Sequence, residues 1–348
     1  MPKVVKAGSS VAGLAHQQSF AFAPPVLAPV TTRSPKVSVL VTNYNMGRFV
    51  VESVRSALSQ SYQNLEIVIC DDGSVDDSFA RIEANFASNA RVTYFTRPNT
   101  GQAGAMNAAF ARATGELIAF LDSDDVWLPN RLSRVVDRFA TSPGLGVLSH
   151  QLQAVDEKLR PLRFFGLDHF DEGWLGWNAL AVAKLAKART TGLTIHRAVA
   201  DRVFPLPTDS RGHGDGIMVR RAAVLARVGA LHEVLALYRQ HADNQTGITG
   251  PTQAIVAEAE LRVRRIALAD HMAFYRSVFG RPAGDDNFVR RMTAYDELTF
   301  DLLADRPLDR QIIRLLPRLS TRVWWFLLAD LPRTAATALF RFRRQQPW

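Results

Sequence analysis

The stretch from residue 115 to residue 130 constrains the fold of this chain more than any other. It reads Gly-Glu-Leu-Ile-Ala-Phe-Leu-Asp-Ser-Asp-Asp-Val-Trp-Leu-Pro-Asn. Residues 117–121 form a short apolar run without helical period, which predicts a buried β-strand. Three carboxylates follow this run: Asp122, Asp124 and Asp125. Pro129 then opens a helical pattern, so the strand delivers acidic side chains at its carboxyl end.

Acidic residues at the end of a buried strand are chemically informative. In open α/β sheets, ligands bind beyond the carboxyl ends of the strands. An Asp-x-Asp at such an end offers hard oxygens that suit Mg²⁺ or Mn²⁺, and the cation can in turn hold a diphosphate. The same residues also fit an acidic turn that caps the following helix, so the motif alone leaves both interpretations open.

Strands and helices alternate along the first half of the chain. Three further runs predict strands: residues 36–42, 64–70 and 92–96. Residues 47–60 carry apolar side chains at helical spacing, Ser74 is predicted to cap the helix after the second of these strands, and a small-residue helix begins within 99–107. This alternation predicts an α/β fold with a doubly wound, mainly parallel sheet.

The strand at 64–70 also ends in acid, at Asp71 and Asp72. In a doubly wound sheet this end and the Asp122-x-Asp124 end face the same crevice. Two acidic strand ends without an adjacent basic residue repel each other, and a bound cation relieves that repulsion. The pairing of the two ends therefore favours a metal and nucleotide site over a capping turn.

Composition limits the class of protein. Apolar residues make up 47% of the 348 residues and charged residues 22%, as in ordinary globular domains. The net charge of +9 suggests a negatively charged partner, and nucleic acid, an anionic membrane and an anionic substrate are all candidates. Cys70 is the single cysteine, which excludes an internal disulfide and fits a reducing, cytoplasmic compartment.

The two ends of the chain differ in composition from the middle. Residues 1–34 predict a flexible leader that resembles a signal peptide only weakly, and no apolar run is long enough for a membrane span. From residue 251 onward the pattern is helical, with arginines at every fourth position from Arg306 to Arg322 and two tryptophans at 324 and 325. Such helices fit peripheral contact with the inner face of the cell membrane, or packing on the chain's own core with a solvated arginine face. Nucleic acid is not expected, because no recognised module accompanies the charge.

Four motifs in a fixed order carry a family resemblance. They are Val39–Asn45, Asp71-Asp-Gly-Ser74, Asn99-x-Gly-x-x-x-Ala-x-Asn107 and Leu121-Asp-x-Asp-Asp125. Each is common, but together they resemble the nucleotide-sugar half of the family 2 glycosyltransferases, from about Pro35 to Arg138. The resemblance implies a GT-A fold, inverting transfer and a divalent metal, Mn²⁺ or Mg²⁺.

In this half the resemblance implies roles in binding the donor. Thr42 and Tyr44 would line the base and ribose, and Asp72 would accept a hydrogen bond from the base imide. Asp71 would support the same loop, and Asp124 would hold the metal. The other predicted donor-binding residues border the nucleotide, its ribose or the sugar: Arg97, Gly101, Asn107, Asp122 and Ser123.

The second half resembles the family more loosely. Residues 190–197 resemble the segment that faces the acceptor, and Asp215, before a helical run, is predicted to be the general base. Gly214 departs from the family pattern, and Asp209 and His213 are the reserve candidates for the base. Glu233–Asn244 is similar to a Tyr-Arg-x-His-x-x-Asn segment, in which His241 would reach the diphosphate or its metal while Arg239 and Asn244 position the loop.

Together these features predict a leader at 1–34, a GT-A domain at 35–250 with nucleotide-sugar and acceptor halves at 35–140 and 141–250, and a basic helical region at 251–348. The expected activity is metal-dependent transfer of a sugar from a nucleoside diphosphate, with UDP favoured, to a hydroxyl of a saccharide or lipid-linked acceptor in polysaccharide or glycolipid synthesis. Two alternatives remain, namely a non-catalytic sugar-nucleotide-binding protein and a nucleotidyltransferase.

Overall fold

The structure is a computed structural model of the chain. It describes residues 24, 34–162, 172–174, 189–208, 214–242, 266 and 269–280. The reserve bases Asp209 and His213, the loop residue Asn244, almost all of the predicted leader and most of the basic C-terminal region lie outside these ranges.

The first half forms the predicted parallel sheet. Its strands are β1 (Val37–Asn43), β2 (Leu65–Asp71), β3 (Val92–Thr96) and β4 (Leu117–Asp122). The connecting helices are α1 (Gly47–Leu58), α2 (Ser78–Phe86) and α3 (Gln102–Phe110). The strands lie in the order β3-β2-β1-β4 and every neighbouring pair is parallel. The acidic ends of β2 and β4 therefore flank the end of β1.

The second half extends the same sheet with mixed strand directions. The elements are β5 (Val126–Trp127), α4 (Arg131–Ala140), β6 (Leu145–Val155), β7 (Thr194–His196), α5 (Arg197–Val203), α6 (Gly214–Leu225) and β8 (Arg227–Arg239). The full order is β3-β2-β1-β4-β7-β6-β8-β5, with β7 antiparallel to both β4 and β6. A short 3-10 helix, Thr190–Gly192, precedes β7.

Apolar side chains bury both faces of the sheet. On β1, Val39 and Val41 pack in the core cluster that contains α1 and α4 residues, whereas Leu40 packs in the cluster that contains α3, α5 and α6 residues. A strand buried on both faces carries apolar side chains on both, so these segments are continuous apolar runs and do not alternate between apolar and polar residues. Within the described ranges, no helix combines the length and the apolar character needed to cross a bilayer.

The predicted cap at Ser74 is wrong. Helix α2 begins at Ser78 with Asp77 at the N-cap position. The Ser74 amide instead donates to Asp71 Oδ1 at 2.9 Å, and its hydroxyl donates to Asp71 Oδ2 at 2.6 Å. The buried Asp71 carboxylate thus holds Ser74 in the turn after β2, and α2 begins about one helical turn later.

Candidate functional site

The loop after β2 is held by the carboxylate of Asp71. Besides the two bonds from Ser74, this group accepts hydrogen bonds from Asn43 Nδ2 at 2.8 Å and Thr96 Oγ1 at 3.2 Å. Asp71 is buried, and protein donors occupy its acceptor positions. It therefore ties β1, β3 and the turn after β2 together.

The neighbouring Asp72 faces the start of α3. Its carboxylate accepts hydrogen bonds from the Thr100 amide at 3.2 Å and the Gly101 amide at 2.8 Å, and Arg97 Nε lies 3.8 Å away. Gly101 has a φ of 83°, in the left-handed region that glycine adopts readily. Asp72 therefore orders the start of the small-residue helix beside the crevice.

The end of β4 concentrates negative charge. Burial, together with the carboxylates of Asp124 and Asp215, raises the pKa of Asp122 to about 8, while the Arg189 guanidinium and Thr191 lower it. Asp215 therefore lies near the acidic strand end although it comes from α6. This proximity places the predicted general base and the predicted metal-binding motif in one crevice.

Asp124 pairs with His241, which follows β8. Asp124 Oδ2 lies 3.0 Å from His241 Nε2, and Arg48 Nη2 lies 3.4 Å from His241 Nδ1. Because a guanidinium can only donate, a hydrogen bond from Arg48 to Nδ1 would put the ring hydrogen on Nε2, which would then donate to Asp124. Metal ligation through Nε2 requires the other tautomer, in which Arg48 no longer bonds to Nδ1.

Arg239 and Asp125 fasten the acidic motif to the rest of the sheet. The Arg239 amide donates to Asp125 Oδ1 at 2.8 Å, and its Nε donates to the Asp124 carbonyl at 2.7 Å. Its side chain is 2% exposed and also pairs with Glu52 on α1 at 2.5 Å. Burial and the neighbouring carboxylates raise the pKa of Asp125 well above its usual range. Asp125 and Arg239 are thus structural supports of this loop.

Asp215 lies in the first turn of α6. Its Oδ1 accepts from the Gly216 amide at 2.7 Å, and its Oδ2 accepts a long hydrogen bond of 3.4 Å from Thr190 Oγ1. A Cβ at Gly214 would lie 3.0 Å from Ala103 Cα and 3.1 Å from Ala103 N. Gly214 therefore lets α6 approach α3 closely.

The other predicted donor-binding residues take different positions. Tyr44 is 43% exposed at the rim, Thr42 is half-buried near the end of β1, and Ser123 is buried. Arg97 donates to the Gly104 carbonyl. Asn107 uses both ends of its amide on the backbone of Leu206, at 2.8 and 2.7 Å, so it anchors the chain between α5 and α6.

The donor set at the acidic strand end fits a hard divalent cation. Asp124 Oδ2 and His241 Nε2 are close enough to share one ion, and the charge repulsion at Asp122 is of the kind a cation relieves. No three His, Cys, Asp or Glu side chains in the described ranges form a complete metal cluster. A cation would therefore use diphosphate oxygens and water for its remaining positions.

Three residues beside the site have no individual role predicted from the sequence. Arg189 is not predicted at all, and Thr190 and Thr191 are predicted only as part of the segment 190–197 that resembles the acceptor-facing one. Thr190 and Thr191 lie in the 3-10 turn and bond to Asp215 and to the acidic strand end. Arg189 lies directly before the turn, and its charge lowers the pKa of Asp122. Thr191 Oγ1 accepts from the Asp122 amide at 3.1 Å and donates to Asp125 Oδ2. The only signal is the Thr-Thr-Gly pattern before a short strand, which does not by itself indicate a contact.

Solved structures define the class of fold. A structure of the S. aureus protein TarS in complex with UDP-GlcNAc superposes with a TM-score of 0.55 at 16% identity, covering 80% of this chain and 83% of that one. A mannosyltransferase from Pyrobaculum calidifontis, in complex with GDP-Man and Mn²⁺, superposes with a TM-score of 0.54 at 20% identity, covering 92% and 83%. These similarities confirm the predicted GT-A fold.

Sequence comparison identifies the family. Residues 38–165 match the profile described as Glycosyl transferase family 2. An uncharacterized glycosyltransferase of Nostoc sp. is 37% identical over 60% of this chain and 66% of its own length. The Escherichia coli UDP-Glc:alpha-D-GlcNAc-diphosphoundecaprenol beta-1,3-glucosyltransferase WfaP is 42% identical over 29% of this chain and 39% of its own length. The chain belongs to glycosyltransferase family 2, which confirms the resemblance and the enzyme class, and it spans 66% of the first of these relatives and 39% of the second.

Proposed function

We propose that the protein is a metal-dependent, inverting glycosyltransferase that moves a sugar from a nucleoside diphosphate to a hydroxyl of an acceptor. The observation that carries this proposal is the convergence of Asp215 with Asp122 and Asp124, which come from two halves of the chain. Transfer needs a cation site at the donor diphosphate and a general base at the acceptor hydroxyl, and the two must lie side by side.

The donor would lie along the ends of β1, β2 and β4. Asp72 would accept from the base imide while Thr42 and Tyr44 contact the base and ribose, which favours UDP. The TarS structure contains UDP-GlcNAc and the mannosyltransferase structure contains GDP-Man and Mn²⁺, so the fold accepts more than one nucleotide. Asp72 and its loop would make that choice in this chain.

Asp124, with His241 beside it, would hold Mn²⁺ or Mg²⁺. When bound, the metal supplies positive charge to the leaving diphosphate. Asp215 takes the proton from the acceptor hydroxyl, which attacks the anomeric carbon from the face opposite the diphosphate. Thr190 orients Asp215 through their hydrogen bond, and one displacement inverts the anomeric configuration.

The acceptor class follows from the relatives by analogy. WfaP is named for a diphosphoundecaprenol-linked acceptor, and chondroitin synthase of Escherichia coli is 37% identical over 31% of this chain. A saccharide or lipid-linked acceptor in polysaccharide or glycolipid synthesis is therefore proposed, at the cytoplasmic face of the membrane. The basic region 251–348, of which the structure describes little, would provide any membrane contact.

The test separates binding from transfer. UDP, GDP and dTDP are titrated calorimetrically into wild type and Asp215→Asn, with Mn²⁺ and with EDTA, and transfer is then assayed with sugar derivatives of the nucleotide that binds. Asp215→Asn should keep donor binding and lower transfer by at least about 100-fold. Asp201→Asn is the matched control, because Asp201 is exposed and pairs with Arg197 on α5.

Undiminished transfer by Asp215→Asn would remove Asp215 from the proposed role. Metal-dependent nucleotide binding without transfer by wild type would instead favour the non-catalytic sugar-nucleotide-binding alternative. Binding of none of the three nucleotides under either condition would contradict the proposed donor class.

A further inference from the structure

Arg131, the first residue of α4, is a fully buried cation. Its side chain is 0% exposed, and its guanidinium lies 3.8 Å from the centroid of the Trp127 ring. Its hydrogen bonds in the described part of the chain go to neutral acceptors. Nε donates to His150 Nε2 at 2.9 Å, and Nη2 donates to the Leu193 carbonyl at 3.0 Å, to Thr194 Oγ1 at 3.2 Å and to the Thr191 carbonyl at 3.4 Å.

His150 is adapted to this cation. Burial and the charge of Arg131 lower the pKa of His150 to about 3, so the imidazole is neutral at ordinary pH. Because Nε2 accepts from Arg131, the hydrogen is on Nδ1, which donates to the Gln151 carbonyl at 2.9 Å. The neutral histidine therefore serves as an acceptor for the arginine.

A buried charge without a carboxylate partner is expensive to desolvate, and an apolar side chain of similar volume would fill the same space without that cost. The hydrogen bonds of Arg131 concentrate on the turn and strand at residues 190–194. Trp127 Nε1 donates to the same Thr191 carbonyl at 3.2 Å. The position of this turn is thus determined by side chains behind it.

The same turn contacts both parts of the proposed active site. Thr191 Oγ1 bonds to the Asp122 amide and to Asp125, on the metal-binding side. Thr190 Oγ1 bonds to Asp215, on the side of the base. A displacement of the turn would therefore change the separation between the base and the acidic strand end.

We propose that Arg131 is a positioning residue: through the Thr190–Gly192 turn it sets the position of Asp215 relative to the Asp122–Asp125 end of β4. The catalytic part of this proposal rests on the proposed function. The structural part, namely that the guanidinium holds the turn against β4, does not.

The structural part is tested by hydrogen exchange, which needs no substrate. In Arg131→Met the amides of segments 190–193 and 120–125 should exchange about tenfold faster, the factor expected for loss of about one hydrogen bond to a charged group. The amides of β1 and β2, on the other side of β4, should exchange as in wild type. Arg134→Met is the matched control, because Arg134 lies on the same helix but is exposed and pairs with Glu233.

The catalytic part is tested by separating nucleotide affinity from turnover. Arg131→Met should lower kcat by between about tenfold and a hundredfold while the Kd for the nucleotide changes little, because the turn shifts Asp215, whereas β1 and β2, at whose ends the proposed base and ribose contacts lie, keep their positions. Thr191→Val makes a second test, since it removes the hydroxyl of the turn and leaves the buried arginine in place. If Arg131→Met does not fold, Thr191→Val provides the test on its own: it should lower kcat while the Kd for the nucleotide changes little.

Unchanged exchange at 190–193 in a folded Arg131→Met would overturn the proposal. So would an equal loss of nucleotide affinity and turnover, or a Thr191→Val enzyme with wild-type kcat. If wild type itself transfers no sugar, the proposed function fails, and the catalytic part of this proposal fails with it, whereas the exchange result still decides whether Arg131 holds the turn.

Discussion

His271 provides a quantitative prediction about stability and pH. It lies in the helical residues 269–279, its side chain is 1% exposed, and neither ring nitrogen has a hydrogen-bond partner in the part of the chain that the structure describes. Burial, together with the nearby charge of Arg220, lowers the pKa of His271 from 6.5 to about 3. The perturbation is His271→Leu, which fills similar space without a titratable group.

The sign and size of the effect follow from linkage. Below pH 6.5 the histidine of the unfolded chain takes up a proton, whereas the folded one does not until pH approaches 3, so the free energy of unfolding falls as the pH is lowered through this window. Between pH 7 and pH 5 the loss from one such histidine is about 2 kcal/mol. His271→Leu should therefore gain about 2 kcal/mol relative to wild type over the same interval.

The assay is urea unfolding of both proteins at pH 7, 6 and 5. The difference between them isolates His271, because the buried His150 and the raised carboxylate at Asp122 titrate alike in both. His232→Leu is the control, since His232 is exposed on β8, and its stability should follow that of wild type. Parallel pH profiles for wild type and His271→Leu would refute the reasoning.

Three further predictions concern packing and the site. Gly214→Ala should lower the free energy of unfolding by about 1–3 kcal/mol, because the added Cβ meets the backbone of α3. Gly216→Ala is the comparison and should lower it less, because its Cβ meets only the end of a flexible arginine side chain. Urea unfolding measures both. Asn107→Ala should cost about 1–3 kcal/mol in the same assay, since it leaves the amide and carbonyl of Leu206 unbonded, and no loss would contradict that anchor. Asp124→Asn should bind nucleotide in the presence of Mn²⁺ with no higher affinity than wild type has in EDTA, as measured by calorimetry. If the variant still binds nucleotide more tightly with Mn²⁺ than with EDTA, Asp124 is not the metal ligand.

The first four strands are predictable because their signals are local. Each is an apolar run followed directly by polar residues, and the connecting helices are close in sequence. The order of these elements along the chain is therefore enough to assign the carboxylates at β2 and β4 to one edge of the sheet. The wrong cap at Ser74 has a local cause as well, because a serine before a helical pattern is a good cap unless a buried carboxylate such as Asp71 binds it first.

The second half is harder to predict because its contacts are distant in sequence. Strand β7 has three residues and β5 has two, too few for a reliable period, yet β7 lies between β4 and β6 and brings Thr191 to Asp122. The burial of Arg131 is not evident either, because arginine is almost always exposed and nothing in its neighbours in the sequence indicates a buried position. The place of β7 in the sheet and the burial of Arg131 depend on tertiary packing.

The two supports of Asp125 also bear on how the chain assembles. Thr191 and Arg239 are separated from Asp125 by 66 and 114 positions, so neither has been synthesised when β4 leaves the ribosome. The nucleotide half can form from contacts of low sequence separation, while the acidic end of β4 still lacks its donors and its carboxylates repel one another. When β8 joins the sheet it supplies the last of these donors, so the sheet and the acidic end of β4, the proposed cation site, are completed in a single event.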